Sequence, residues 1–166
     1  MSEIKNKLVQ NQILIGEKLY AEAIHIVLEN AKHTLRIFDQ DLSRGDFSSL
    51  QTYDLLRAFL SKSATSRLTI ILQDTLYFQE KCPRLFSLLE TYGHKMTILE
   101  TNETAKHAKD CFILADDEHY IKRIHIDQAR FKYALNDEVS VEQLSTRFEE
   151  LLEATQHAVA VTKLGL

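Results

Sequence analysis

Apolar residues follow two different spacings along the chain, and the two spacings alternate. Apolar positions recur at steps of three and four in residues 17–32, 50–62, 83–92 and 140–156, which predicts four amphipathic helices. Short apolar runs at residues 34–39, 67–73, 95–100, 111–116 and 119–126 predict five strands. Residues 12–15 and 130–135 predict two more short strands, the first of them at a sheet edge.

The order of these elements predicts an α/β fold. Strands separated by helices favour right-handed crossovers and therefore a mostly parallel central sheet with helices on both faces. The acidic residues 116–118 predict a tight turn, so the strands on either side of it should form a late antiparallel hairpin. We find no repeat or linker, so we expect a single domain over residues 12–166, preceded by a flexible N-terminus at residues 1–11.

Composition narrows the class of protein further. The 166 residues are 45% hydrophobic and 27% charged, which excludes global disorder, and a net charge of −4 leaves no chain-wide basic field. Two cysteines make neither a disulfide framework nor a zinc site. No apolar run approaches the roughly 18 residues of a membrane span, and the polar N-terminus has no signal-peptide core. We therefore expect a cytoplasmic protein without a membrane span.

Several patterns along the chain offer side chains for catalysis or metal binding. Asp39 and Asp41 follow a strand, and such a pair is either a metal or acid–base site or an ordinary turn. Neither a glycine-rich phosphate loop nor a Gly-x-Ser-x-Gly elbow is present in the sequence. His119 and His125 lack metal-ligand spacing. The sequence therefore predicts no metal and no cofactor.

A local basic cluster stands out on this acidic chain. Residues 122–132 contain one acidic residue, Asp127, and four basic residues, Lys122, Arg123, Arg130 and Lys132. Lys122 and Arg123 point to opposite faces of a strand. Two interpretations stay open, because the cluster is either an anion-binding site or a set of charges that protects an edge strand from aggregation.

One segment resembles a known signature. His107-Ala-Lys109 precedes an apolar strand that ends at Asp116, which is similar to the His-x-Lys, four residues, Asp motif of the phospholipase D superfamily. Together with the α/β order, residues 13–155 resemble one half of a phospholipase D-like domain. The resemblance is closest to a bacterial group of uncharacterised function in which the helix beginning Pro83-Arg84-Leu85 recurs.

The resemblance implies roles for three residues. His107 would attack phosphorus, Lys109 would neutralise phosphate oxygens, and an aspartate would orient the histidine. The motif is degenerate, however, because Leu114 stands in the aspartate position and Asp116 comes two residues later. Two residues of strand move a side chain by about 6.6 Å. A second motif would have to come from a partner copy.

We therefore predict a non-catalytic phospholipase D-like interaction or anion-binding module, without catalytic residues. The anion ligands would be Lys109, Lys122, Arg123 and Arg130. One alternative is a phosphodiesterase built across a homodimer, with His107, Lys109 and Asp116 as its catalytic residues. Another alternative is a nucleotide or nucleic-acid binding protein. The expected partners are a second copy of the chain and a phosphate-containing ligand.

Overall fold

The computed structural model describes residues 8–159, apart from the side chains of residues 104 and 156–158. The flexible N-terminus predicted for residues 1–11 therefore falls largely outside the described residues. The structure is an α/β arrangement of one sheet and flanking helices, as the alternating spacings predict.

Eight strands form the sheet within the described residues. They are β1 (Leu14–Ile15), β2 (Thr34–Asp39), β3 (Arg67–Leu72), β4 (Met96–Thr101), β5 (Cys111–Ala115), β6 (His119–His125), β7 (Gln128–Ala134) and β8 (Thr155–Ala158). Their order across the sheet is β1-β7-β6-β5-β2-β3-β4-β8.

Five α-helices flank this sheet in the part of the chain that the structure describes. They are α1 (Glu17–Glu29), α2 (Leu50–Lys62), α3 (Leu76–Lys81), α4 (Pro83–Thr91) and α5 (Glu138–Glu153). Local sequence signals explain where two of these helices begin. The Ser49 side chain accepts the Thr52 N–H at 3.1 Å at the start of α2, and Pro83 occupies the first turn of α4, where no N–H is needed.

The prediction of a mostly parallel sheet is wrong. Only β2–β3 and β3–β4 are parallel, whereas the other five neighbouring pairs are antiparallel. The reason lies in residues 102–110, which join β4 to β5. A parallel crossover needs about a dozen residues or more, so this short connection stays at the edge where β4 ends and β5 runs back beside β2. The predicted late hairpin of β5 and β6 is present.

Two hydrophobic cores cover the two faces of the sheet. Helices α1 to α4 pack on one face, where Ile24 and Phe59 meet Ile37 and Ile70. Of the helices described, only α5 packs on the other face, with its buried residues against β2, β5 and β6. Helices therefore flank both faces, as predicted. Of the helices described, none combines the length and the apolar composition needed to cross a membrane.

Candidate functional site

The carboxyl ends of β2, β3 and β4 meet at one edge of the sheet, which we call the carboxyl edge. Open α/β sheets hold their ligands at such an edge. Because Phe38 pairs with Phe112 across the antiparallel β2–β5 ladder, Cys111 lies at this edge opposite Asp39. The segment that resembles the phospholipase D signature therefore begins at the carboxyl edge.

Residues 102–110 are anchored there by buried polar contacts. The Gln73 amide donates to the carbonyls of Ala105 at 3.0 Å and Ala108 at 2.9 Å. Lys106 donates to the Gln73 carbonyl at 2.7 Å and pairs with Glu100 at 3.3 Å. These bonds hold the backbone of the segment, so His107 and Lys109 are presented on a fixed loop with exposed side chains.

Asp116 lies at the opposite edge of the sheet. Its carboxylate accepts the backbone N–H groups of Lys32 and His33, each at 2.6 Å, and of Thr34 at 2.9 Å. These donors stand at the start of β2, and the five residues of β5 span about 13 Å between the two edges. Within one chain, the structure therefore does not bring Asp116 together with His107 and Lys109.

The Asp39 and Asp41 carboxylates close a turn after β2. Asp39 accepts the Leu42 N–H at 2.6 Å, while Asp41 accepts the Ser43 N–H at 2.9 Å and its hydroxyl at 2.6 Å. Burial raises the pKa of Asp39. With one oxygen of each carboxylate engaged in these local bonds, Asp39 and Asp41 fit the turn interpretation rather than a metal or acid–base pair.

The two cysteines are buried and do not form reactive thiols. Burial raises the pKa of Cys82 to about 11, and it raises the pKa of Cys111 well above the ordinary thiol value. Tyr20 lies 3.5 Å from the Cys111 sulfur. Because the thiolate is the nucleophile, neither side chain is prepared for nucleophilic chemistry at neutral pH.

The predicted basic cluster is divided between the two faces of the sheet. Arg123 is only 1% exposed and faces α1, where its guanidinium forms two 2.8 Å bonds with the Glu17 carboxylate. Lys122 points to the opposite face, beside α5. The predicted anion site therefore included two cations, Lys122 and Arg123, that lie on opposite faces of the sheet and cannot contact the same phosphate group.

Lys122 and Lys132 are direct cross-strand neighbours on β6 and β7. Both line a cavity of about 230 Å³ between the hairpin and α5. Arg130 precedes Lys132 by two residues and so shares its face. We call these three residues the basic face. Neither lysine forms an ion pair with any residue that the structure describes.

Sequence reasoning counted Lys132 in the cluster but did not include it among the ligands. The alternation of the strand carried the signal, because Arg130 and Lys132 are two residues apart. The cavity also holds Gln143 of α5, whose amide is a potential donor to an anion. No local pattern pointed to that residue, since its place depends on how α5 packs on the sheet.

Asp116, Glu118 and His119 offer ligand atoms within 4.8 Å of one another, the spacing of a metal centre. The hydrogen bonds argue against that role. His119 Nδ1 accepts the Asn136 N–H at 3.0 Å, so the neutral ring carries its proton on Nε2 and has no lone pair free for a metal. The Asp116 oxygens are already bonded to backbone N–H groups. The cluster therefore does not fit a metal ion.

An acidic cavity of about 670 Å³ lies next to this cluster. Its carboxylates belong to Asp116, Asp117, Glu118, Glu138 and Glu142. Arg36 compensates part of this charge by pairing with Asp117. A phosphate-bearing ligand would be repelled at this cavity. Negative and positive charge are therefore concentrated at two different places, the acidic cavity and the basic face.

The structure is similar to members of the phospholipase D family. Nuc from Salmonella typhimurium, a member of that family, superposes with a TM-score of 0.59 at 11% identity over 87% of this chain and 96% of Nuc. Phosphatidylserine synthase from Haemophilus influenzae Rd KW20 gives a TM-score of 0.58 at 11% identity, over 92% of this chain and 40% of the synthase. At these identities the likeness establishes a phospholipase D-like fold.

An archaeal protein has the same fold. TrmBL2, a chromatin protein with a novel mode of DNA binding, superposes with a TM-score of 0.65 at 13% identity. The match covers 87% of this chain and 52% of TrmBL2, so the chain spans about half the length of that protein.

Sequence comparison with proteins of curated function finds no match. A family model does match, from residue 17 to residue 164, and it is described as a domain of unknown function, DUF7931. The match takes in all five helices and every strand except β1. The chain therefore belongs to the DUF7931 family.

Proposed function

We propose that this chain is a non-catalytic phospholipase D-like module that binds phosphate-bearing ligands through the basic face. Residues 12–166 would act as one domain. The observation that carries the proposal is the pairing of Lys122 with Lys132 beside a cavity. Like charges directly opposite each other destabilise a pair of strands, and a bound anion removes that repulsion.

The surroundings of the two lysines favour an anion. The Gln143 amide adds a neutral donor in the same cavity, and Arg130 adds a third positive charge on the same face. Lys109 is exposed at the carboxyl edge, and its carbonyl accepts the Ile126 N–H at 2.7 Å, which holds its backbone next to the β6–β7 turn. An extended phosphate ligand could therefore contact Lys109 as well.

The proposal includes no catalysis. Among the residues that the structure describes, no carboxylate bonds to His107, and Asp116 bonds to the start of β2 instead. Leu114 occupies the position where the family signature has its aspartate, and it is buried against α5. A nucleophilic histidine needs an orienting acceptor within hydrogen-bond reach.

Among phosphate-bearing ligands we favour nucleic acid. The fold is shared with TrmBL2, which binds DNA, and a row of cations suits a repeating phosphate backbone. Binding of this kind weakens steeply with salt, because counterions are released. A homodimer and a cytoplasmic location remain predictions that accompany this proposal.

Titration with short single-stranded DNA, a mononucleotide and inorganic phosphate, at low and moderate salt, tests the proposal. The double variant Lys122→Ala with Lys132→Ala should weaken DNA binding at least about tenfold at low salt. The matched control is Lys32→Ala with Lys81→Ala, which removes two exposed lysines elsewhere. Equal losses in the two variants, or no binding by the wild type at low salt, would overturn the proposal.

A further inference from the structure

Arg123 and Glu17 form an ion pair of unequal exposure. The Arg123 side chain is 1% exposed, whereas the Glu17 side chain is 58% exposed. Both terminal nitrogens of the guanidinium bond to the two carboxylate oxygens at 2.8 Å. The buried cation is therefore covered on its solvent side by a carboxylate that itself stands in water.

The guanidinium is held in place by contacts other than Glu17. Its Nε donates to the His125 carbonyl at 3.3 Å, and its Cζ lies 4.9 Å above the Tyr20 ring. These contacts fix the plane of the group and direct both terminal nitrogens towards the solvent side. The fork would keep this direction if the Glu17 side chain moved away.

A groove opens beside Glu17, between α1 and residues 43–48. Its volume is about 530 Å³, and its charged lining includes Lys18 and Arg44 as well as Asp46. Arg44 also pairs with Asp127 at 3.5 Å. The hydrogen bonds from Arg123 lower the pKa of Glu17, and the charges of Arg123 and Arg44 lower it further. Partial burial of the carboxylate acts in the opposite direction. Glu17 therefore lies next to Arg123 and two further cations, while Asp46 and Asp127 offset part of that positive charge.

We propose that Arg123 is the centre of a masked anion site in which Glu17 takes the place of a phosphate group. A guanidinium binds two oxygens of a phosphate in the same parallel geometry that it uses for a carboxylate. A phosphomonoester would displace Glu17, bond to both terminal nitrogens of Arg123 and extend into the groove towards Arg44. This site lies on the opposite face of β6 from the basic face, so it does not depend on the proposed function.

Glu17 is placed to leave without unfolding its helix. It is the first residue of α1, and Gly16 before it has a φ of 128°, a backbone conformation that glycine adopts readily. A phosphate dianion carries more charge than the carboxylate it replaces, so it would gain more from Arg123 and from Lys18 and Arg44 nearby, against some repulsion from Asp46. The buried guanidinium is paired with an anion both before and after the exchange. Neither state therefore has the high free energy of an unpaired buried charge.

The test compares phosphate and phenyl phosphate binding by the wild type, Glu17→Gln and Glu17→Gln with Arg123→Met. The Arg123 Nε–H resonance and calorimetry report binding. Glu17→Gln should bind at least about tenfold more tightly than the wild type, because the competing carboxylate is gone. Its melting temperature should be lower than that of the wild type, and phosphate should restore it more than chloride does at equal ionic strength.

The double variant should show neither the tighter binding nor the restored melting temperature. Equal responses from Glu17→Gln and from the double variant would overturn the masked site. If Glu17→Gln does not fold, the wild type decides: an Arg123 Nε–H resonance that responds to phosphate no more than to chloride overturns the proposal. Adding Lys122→Ala and Lys132→Ala should leave this binding unchanged, which separates it from the basic face.

Discussion

Asp116 fixes the start of β2 by accepting the His33 N–H at 2.6 Å. Two further backbone N–H groups, from Lys32 and Thr34, complete the bonds to the same carboxylate. Asp116 also has a positive φ of 60°, a conformation that aspartate and asparagine tolerate better than most residues. The residue that the family resemblance associates with catalysis thus has a structural role at the edge remote from His107.

Replacement of Asp116 should therefore reduce stability rather than activity. We expect Asp116→Ala to lower the free energy of unfolding by roughly 1–3 kcal/mol, because three backbone donors lose a charged acceptor and alanine is strained at positive φ. Asp116→Asn should have a smaller effect, since it keeps one acceptor and the backbone tolerance. Urea unfolding measures both. Asp54→Ala on the exposed side of α2 is the control, and equal losses at the two positions would contradict this role.

The second prediction concerns hydrolysis. The purified chain should not hydrolyse bis-p-nitrophenyl phosphate, with or without a divalent metal, because none of the described carboxylates orients His107 at the carboxyl edge. Any trace of hydrolysis should be the same in His107→Ala. Turnover that is abolished by His107→Ala and retained by Lys32→Ala would restore the alternative of a phosphodiesterase.

Local pattern predicted individual elements much better than it predicted the direction of the strands. β2 at Thr34–Asp39 and α2 at Leu50–Lys62 have the predicted bounds, because their apolar spacing is strong and Ser49 caps the helix. The reversal of β5 beside β2 depends on where residues 102–110 lie in space. Helix α3 and strand β8 were not predicted, since six and four residues carry too little periodicity.

The candidate sites show the same division. The sequence located the basic cluster, and strand alternation separated Lys122 from Arg123 correctly. It could not show that Glu17 neutralises Arg123, because the two residues are 106 positions apart and meet only when α1 packs on β6. Nor could the sequence tell which edge of the sheet holds Asp116, because that follows from the antiparallel direction of β5.

The third prediction concerns Lys95, a lysine that is only 7% exposed. Its ammonium donates to the Ser63 carbonyl at 2.6 Å and also to the Leu60 carbonyl, at the end of α2. Lys95→Met should lower the free energy of unfolding by about 2–3 kcal/mol, because carbonyl groups lose a charged donor. Thermal and urea unfolding measure this loss. Lys81→Met, at an exposed lysine, should change stability little, and a similar loss in both variants would contradict the capping role.

The last prediction is a pH dependence at the start of α5. Asp137 accepts the Ser140 N–H at 3.1 Å and the Ser140 hydroxyl at 2.8 Å, and these bonds lower its pKa. The folded state therefore binds this proton more weakly than the unfolded state. The resulting stabilisation is complete above the unfolded-state pKa and is lost as the pH falls through the folded-state pKa.

Asp137→Ala should thus lower the free energy of unfolding by about 1 kcal/mol at neutral pH, the usual loss for an N-cap. The difference from the wild type should shrink as the pH falls through the folded-state pKa of Asp137, because the wild-type carboxylate is then protonated. Urea unfolding at several pH values measures the trend, with Asp54→Ala as the control. A difference that is constant over this range would show that the charge of Asp137 does not stabilise α5, and that the residue acts there only through its shape.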